Sequence, residues 1–339
     1  MLFPEIIAGF PGKEFISFVI RPENFNAPSV YDGLNLKVSQ GSASNIVAGW
    51  KLFWFAKQEK KAVFHVFSIG PFFLFILRLA GVRKLIYSIH GTIYWNNGRQ
   101  KFFRKIFWWL AINRKEYRFT SNSEFSKGVF LDKIDLKANI EVLYNPISLK
   151  KFNSSGREIS ESDIIKKIIY AGRLDSGKGL LKWIKYAVAI HKINQGIKFE
   201  IYGEGQLNPL LQETILKSGA EDFVILKGYI KDIWEAYRSA DLLLFVSEFE
   251  SFGNVVVESI LCGTPVLTSD IPSMKEILLN YPGFLVPAGV DQEQVILDKL
   301  KDYQGLKKLC GEAAEEFKYR FSSEQHIRLL GQIYKQYQI

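Results

Sequence analysis

Gly172-Arg173-Leu174-Asp175-Ser176-Gly177-Lys178-Gly179 lies between a short apolar run and an amphipathic one. Two cations on a glycine-punctuated turn that opens a helix suit a diphosphate. Glycines let backbone N–H groups come close, and the helix N-terminus adds partial positive charge. The G-x-x-x-x-G-K-[ST] order of a Walker A loop is absent, and taken alone the segment reads equally well as a surface turn with solvated cations. A second segment runs from Glu248 through Glu250-Ser251-Phe252-Gly253-Asn254 and Glu258 to Gly263-Thr264-Pro265-Val266. Glu250 closes a loop, Asn254 is placed to cap the next helix, and Glu258 falls about one turn into it. Two carboxylates beside a row of backbone donors suit one small polyhydroxylated ligand, because carboxylates accept from vicinal hydroxyls and the helix mouth favours phosphate. The plain alternative is a helix start with two solvated acids. Glu258 sits among Val256, Val257, Ile260 and Leu261, which favours a partly buried, partnered acid.

Both segments need strands to hold them. Apolar, β-rich runs at 15–20, 62–67, 84–89, 117–121 and 140–143 predict strands in the first half, and runs at 167–171, 198–202, 224–227, 242–246 and 265–268 predict strands in the second. Amphipathic stretches such as 180–193 separate them. Strand–helix alternation means parallel sheets covered by helices, and two such series predict an α/β chain of two doubly wound domains. Asn145-Pro146 and the polar stretch 150–163 mark the boundary, giving domains at 1–152 and 153–320 with a C-terminal helix at 321–339 that packs back on the first domain.

The 339 residues fit two domains of ordinary size, and 47% hydrophobic with 23% charged residues excludes wholesale disorder. Two cysteines and four scattered histidines leave no sequence-readable metal site or disulfide framework, so no metal is expected and a reducing cytoplasm is the natural compartment. The formal charge of +9 is uneven: residues 1–152 hold 22 Lys+Arg against 10 Asp+Glu, and residues 153–339 hold 22 against 25. The first half should therefore meet an anionic partner. The stretch 62–82 is the only apolar run long enough to suggest a membrane span. Gly70, Pro71 and Arg78 interrupt it, so strand, turn and core helix is the better reading.

The two chemistry-bearing segments together resemble the retaining, nucleotide-sugar-dependent glycosyltransferases of family 4. Those enzymes carry a G-R-L-x-x-x-K-G turn and an E-x7-E segment at a similar separation; Ser251, Ser259 and Cys262 are mild departures. Ile89-His90-Gly91 resembles the family's H-G turn. The likeness is dense over 168–287 and weaker over 62–147. It implies a GT-B fold, two Rossmann-like domains facing a cleft. It implies that Arg173 and Lys178 hold the donor diphosphate, with Gly172 in the same turn. Glu250, with the backbone of Phe252 and Gly253, would hold hydroxyls of the transferred sugar, Glu258 would hold the ribose, and Ser251 and Asn254 would belong to the same donor-binding site. Gly203 and Glu204 would lie near the nucleotide, Tyr229 and Ile230 near the base, and His90 would approach the donor sugar from the first domain. A nucleoside diphosphate sugar, of UDP or GDP type, is then a co-substrate, no metal is required, and the acceptor is a hydroxyl, such as that of a lipid-linked glycan. The chain departs from the family at its start: no clear strand precedes Gly9-Phe10-Pro11-Gly12, so a shortened acceptor side is expected.

The run 98–119 drawn as a helix puts Phe102, Phe103, Ile106, Phe107, Trp109 and Leu110 on one arc. Lys101, Arg104, Lys105 and Lys115 fall on the other, with Trp108 among them. An aromatic residue among cations predicts contact with an anionic membrane surface, and hence a peripheral protein on the inner face of the cytoplasmic membrane. Nucleic acid is not expected, since no binding motif accompanies the charge. Two other functions share these features. A sugar-nucleotide epimerase of similar architecture would act without an acceptor, and a non-catalytic nucleotide-sugar-binding module would bind without turnover.

Overall fold

The computed structural model describes residues 9–10, 15–19, 36–40, 44–59, 61–67, 69–91, 100–134, 139–155 and 164–337. The chain divides into two compact units, Met1–Asn145 with Ser323–Ile339, and Pro146–Ser322.

Among the described strands of the first unit, β1 (Phe15–Val19) and β2 (Leu36–Gln40) come first and pair in parallel. It continues with α1 (Asn45–Gln58), β3 (Phe64–Phe67), α2 (Pro71–Leu79), β4 (Leu85–Ile89), α3 (Gln100–Ile112), β5 (Arg118–Ser121), α4 (Glu124–Ile134) and β6 (Ile140–Val142). The strands form a parallel sheet in the order β3-β4-β5-β6. Each connection steps one strand the same way, and right-handed crossovers therefore put α2, α3 and α4 on one face of the sheet. Helix α1 packs beside α2, and α2 beside α3. Their inner sides bury Leu52, Leu74, Leu77, Trp108, Ala111 and Ile112 against β4 and β5.

The second unit holds β7 (Lys167–Ala171), α5 (Leu180–Ile193), β8 (Lys198–Tyr202), α6 (Asn208–Lys217), β9 (Val224–Gly228), α7 (Ile233–Ser239), β10 (Leu242–Phe245), α8 (Asn254–Leu261), β11 (Val266–Ser269), α9 (Pro272–Ile277), β12 (Leu285–Val286), α10 (Gln292–Lys301) and α11 (Tyr303–Arg320). All six strands are parallel, ordered β12-β11-β10-β7-β8-β9. Strands β7 and β10 are buried almost throughout, as expected of strands covered on both faces. The order reverses between β7 and β10, so their crossover helices leave to opposite faces and a crevice opens at their carboxyl ends.

The unit boundary falls at Asn145/Pro146 rather than at 152/153. Phe152 explains the difference: it is buried against Trp234 and Tyr237, while Arg238 donates to the carbonyls of Lys151 and Asn153. Helix α12 (Ser323–Lys335) counts with the first unit. Tyr337, just beyond it, donates to the carbonyl of Leu85 at 2.8 Å, and Tyr334 Oη lies 2.8 Å from His65 Nδ1. Strands β2 and β12 were not among the strands expected from sequence.

Candidate active site

The turn 172–179 leaves β7, and the loop 246–253 leaves β10, so both motifs emerge at the switch point. They are tied together through the backbone. The amide of Glu248 donates to the carbonyl of Gly177 at 2.8 Å, and Ser247 Oγ donates to the same carbonyl at 3.2 Å. Gly179 has φ +67°, and a Cβ there would stand 2.0 Å from the Val246 carbonyl oxygen. Only glycine lets the turn close this tightly on the end of β10.

Lys178 and Glu250, one from each motif, form an ion pair at 2.5 Å, with side chains only 16% and 14% exposed. Arg173 reaches Asp175 at 2.7 Å but remains 78% exposed. The turn thus presents one cation already set against a carboxylate and one held loosely at the surface. Gly172 lies at the start of the turn, and Tyr170 donates to the Arg173 carbonyl at 3.1 Å. Gly203 and Glu204 follow β8, where the Glu204 carbonyl accepts from the Leu174 amide at 2.9 Å. Tyr229 and Ile230 follow β9, with Tyr229 largely exposed. The segments carrying Gly172, Arg173, Lys178, Gly203, Glu204, Tyr229, Ile230 and Glu250 to Asn254 therefore leave the carboxyl ends of four adjacent strands.

Ser251 is half-buried, Phe252 is packed on Phe321, and Gly253 takes φ +102° at the cap of α8. A Cβ on Gly253 would meet Met274 Cε at 2.3 Å. The cap is Gly253 and not Asn254, which is the first residue of the helix and exposed. The chain must swing through a left-handed conformation to enter α8 beneath Met274, and this shifts the cap back by one residue.

Glu258 accepts from Tyr237 Oη at 3.1 Å, and burial pushes its carboxyl up to about 7. Desolvation dominates; the Tyr237 hydrogen bond works the other way. Tyr237 was missed from sequence. It lies on α7, and nothing in its local pattern marks it as the partner of a glutamate on α8.

His90 lies in the first unit, just after β4, with Nδ1 3.2 Å from Asn145 Oδ1 and its ring beside Phe67. Burial first, opposed by the Asn145 hydrogen bond, lowers its pKa to about 4. A neutral imidazole results, able to donate or accept but not to carry charge near neutrality. It shares a polar recess with His65, Ser88, Thr120, Asn122 and His326. His65 hydrogen-bonds Ser88 Oγ at 2.7 Å, and burial lowers it to about 3.

Helix α3 corrects one expectation. Trp108 is 4% exposed and packs on Tyr87 and Phe130 at 5.8 and 5.4 Å, so it cannot touch a membrane. Trp108, Ala111 and Ile112 share the inward stripe, while Ile106, Phe107 and Trp109 point outward. The large indole fills the space over β4, which turns the helix away from the orientation drawn from its apolar arc. Lys115 is exposed just after the helix; the side chains of Lys101, Arg104 and Lys105 lie outside the described residues. Among the described residues no group of three His, Cys, Asp or Glu could hold a metal ion, and no helix is long and apolar enough to cross a membrane.

A family model described as glycosyl transferases group 1 matches residues 157–317, and one described as glycosyltransferase family 4 matches residues 26–151. A Campylobacter jejuni protein named as an N-acetylgalactosamine-N,N'-diacetylbacillosaminyl-diphospho-undecaprenol 4-alpha-N-acetylgalactosaminyltransferase is 32% identical over 162 residues, 48% of this chain and 43% of that protein. The GtfA subunit of a UDP-N-acetylglucosamine–peptide N-acetylglucosaminyltransferase from Streptococcus agalactiae is 26% identical over 212 residues, 60% of this chain and 41% of its own. The matched region thus spans less than half the length of these relatives. A Klebsiella pneumoniae protein encoded in a cps region is 25% identical over 83% of this chain and 80% of its own length. Among solved structures, a Rickettsia africae glycosyltransferase superposes with a TM-score of 0.78 at 17% identity, covering 98% of this chain and 93% of that one. Anabaena HepE in complex with UDP and glucose gives 0.74 at 18%, covering 95% and 98%.

Proposed function

Since the chain belongs to the group 1, family 4 glycosyltransferases of the GT-B fold, we propose that it moves a sugar from a uridine diphosphate donor to a hydroxyl acceptor, with retention at the anomeric carbon. The observation that carries this is the Lys178–Glu250 pair at the switch point, one residue from each motif, 2.5 Å apart. A diphosphate sugar has the charges to take both partners. Its phosphate replaces Glu250 on Lys178, and a sugar hydroxyl replaces Lys178 on Glu250. Arg173, held only by an exposed pair with Asp175, swings onto the diphosphate at little cost, since such pairs contribute about 0–1 kcal/mol.

The reaction needs charge placed where the leaving diphosphate gains it. Lys178, Arg173 and the amides at the mouth of α8 supply that charge as the glycosidic bond breaks. Two cations neutralise the diphosphate without a divalent ion. Glu258 accepts from the ribose hydroxyls, and the leaving phosphate takes the acceptor's proton. UDP is preferred over GDP because the HepE structure and a GtfA structure hold UDP. The acceptor class is a lipid-linked glycan, supported by the undecaprenol-linked substrate in the Campylobacter relative's name and by the cps-region relative. The reaction then belongs on the inner face of the cytoplasmic membrane, which the excess charge of residues 1–152 favours.

The test is hydrolysis and transfer across a panel of UDP and GDP sugars with and without a chelator, the product's anomeric configuration being read by NMR. An Arg173→Ala/Lys178→Ala variant should lose turnover by about 10² or more; near-normal turnover in it would sink the assignment. Epimerised donor without an acceptor, or binding without turnover, would replace transfer by one of the two other functions.

A further inference from the structure

The outer side of the first unit's helix layer exposes aromatic and aliphatic side chains, on helices that hold Lys and Arg but no acidic residue. Helix α1 turns Ala48, Leu52 and Ala56 to the core and, on its opposite side, Val47, Trp50 and Trp54 at i, i+3 and i+7 to solvent. Trp50 is 64% and Trp54 50% exposed, and their rings meet edge-on at 5.7 Å. The surface is continuous across the layer. Phe72 of α2, itself exposed, lies against Gly49 of α1, and Phe75 of α2 meets Phe107 of α3 at 6.1 Å. Trp109 extends the surface, 55% exposed.

The helices of this layer carry charge of one sign. Helices α1, α2 and α3 contain six Lys or Arg and no Asp or Glu. Between Asp32 and Glu116 the sequence holds 14 Lys or Arg and a single acid, Glu59. Exposed indoles on helices that carry cations and no acids match the lipid–water boundary of an anionic bilayer. There the amphipathic ring sits at headgroup depth and Lys or Arg meets lipid phosphate. A protein partner of ordinary composition would call for some mixture of charge around so large an apolar face; a lipid surface calls for cations alone.

We propose that the α1–α2–α3 face is the membrane-docking surface of the protein, with Trp50 and Trp54 entering the headgroup layer of an anionic leaflet. This rests on the proposed use of a membrane-borne acceptor, and it relocates the contact from Trp108, which is buried, to α1 and the outward side of α3.

The test is co-sedimentation of the full chain with phosphatidylcholine vesicles and with vesicles containing phosphatidylglycerol, together with tryptophan emission and quenching by bromine-labelled lipid. The wild type should bind the anionic vesicles, release at high salt, and show blue-shifted, lipid-quenched emission. Trp50→Ala/Trp54→Ala should weaken binding by about tenfold or more, and Lys51→Glu/Lys115→Glu should do the same. Donor hydrolysis in lipid-free solution, and the thermal transition, should be unchanged in both variants. Wild type that ignores anionic vesicles overturns the docking while donor hydrolysis separately judges the transferase. Wild type that binds with Trp50→Ala/Trp54→Ala binding equally well overturns this face alone. A wild-type dimer that becomes a monomer in the tryptophan variant assigns the face to a second copy and overturns the lipid assignment.

Discussion

Replacing Lys178 by alanine removes the cation that stands 2.5 Å from Glu250 and leaves the carboxylate in a site where it is 14% exposed. Breaking a fully buried pair costs about 3–5 kcal/mol, and losing an exposed one about 0–1 kcal/mol. The residual exposure of both side chains places this pair between the two limits, at about 2 kcal/mol. Adding Glu250→Gln removes the stranded charge, so the double variant should regain most of that stability. Catalysis should not follow. Without Lys178 the leaving diphosphate loses a placed cation, and turnover should fall on the order of 10²-fold in single and double variants alike. Urea unfolding of the four members of the cycle gives the stability arm, and release of UDP from its preferred donor gives the catalytic arm. A double variant no more stable than Lys178→Ala would show that the pair is not what holds Glu250 in place. Near-normal turnover in Lys178→Ala would show that the turn does not hold the diphosphate.

Four further outcomes are expected. The Glu258 carboxyl is raised from 4.5 to about 7, so its stabilising effect is fully present below about 4.5 and is lost as pH rises through about 7; that amounts to at most about 3 kcal/mol, and Glu258→Gln should flatten this part of the stability–pH profile measured by calorimetry. The same instrument with UDP should find weakened binding in Glu258→Gln and near-intact binding in Glu250→Ala; the reverse would invert the ribose and sugar assignments. Gly253→Ala places a Cβ 2.3 Å from Met274 Cε at φ +102°, so it should lower the melting temperature and distort the helix mouth, while Gly253→Ala/Met274→Ala relieves the clash but not the backbone strain and recovers only in part. Trp108→Ala should cost about 3–5 kcal/mol in denaturant unfolding because it empties the space beside Tyr87 and Phe130; a small loss would mean that Trp108 is not the core residue described.

The inner strands of the second half could be read from sequence because they are buried on both faces: Lys167–Ala171 and Lys198–Tyr202 are short apolar runs closed by glycine turns, and the structure gives the same bounds. The Gly172–Gly179 turn and the Glu250–Glu258 spacing were legible for a related reason. Backbone approach demands glycine and anion binding demands cations, and both leave their mark in residue type. Local pattern failed wherever a choice depended on a neighbour distant in sequence. Tyr237 becomes the partner of Glu258 only because α7 and α8 pack side by side. Gly253 rather than Asn254 caps α8 because Met274 closes over the turn. Helix α3 was the hardest case, since it is rich in aromatics all round, and a residue's own helix cannot say which side meets the sheet. The space over β4 decided it, admitting Trp108 and turning Phe107 and Trp109 outward. Residue types therefore determined which chemistry this chain can carry, because binding phosphate and hydroxyls restricts them locally. Packing decided which of its carboxylates is paired, which is desolvated and which aromatic face is left to solvent, because those properties belong to surfaces that exist only once distant segments meet.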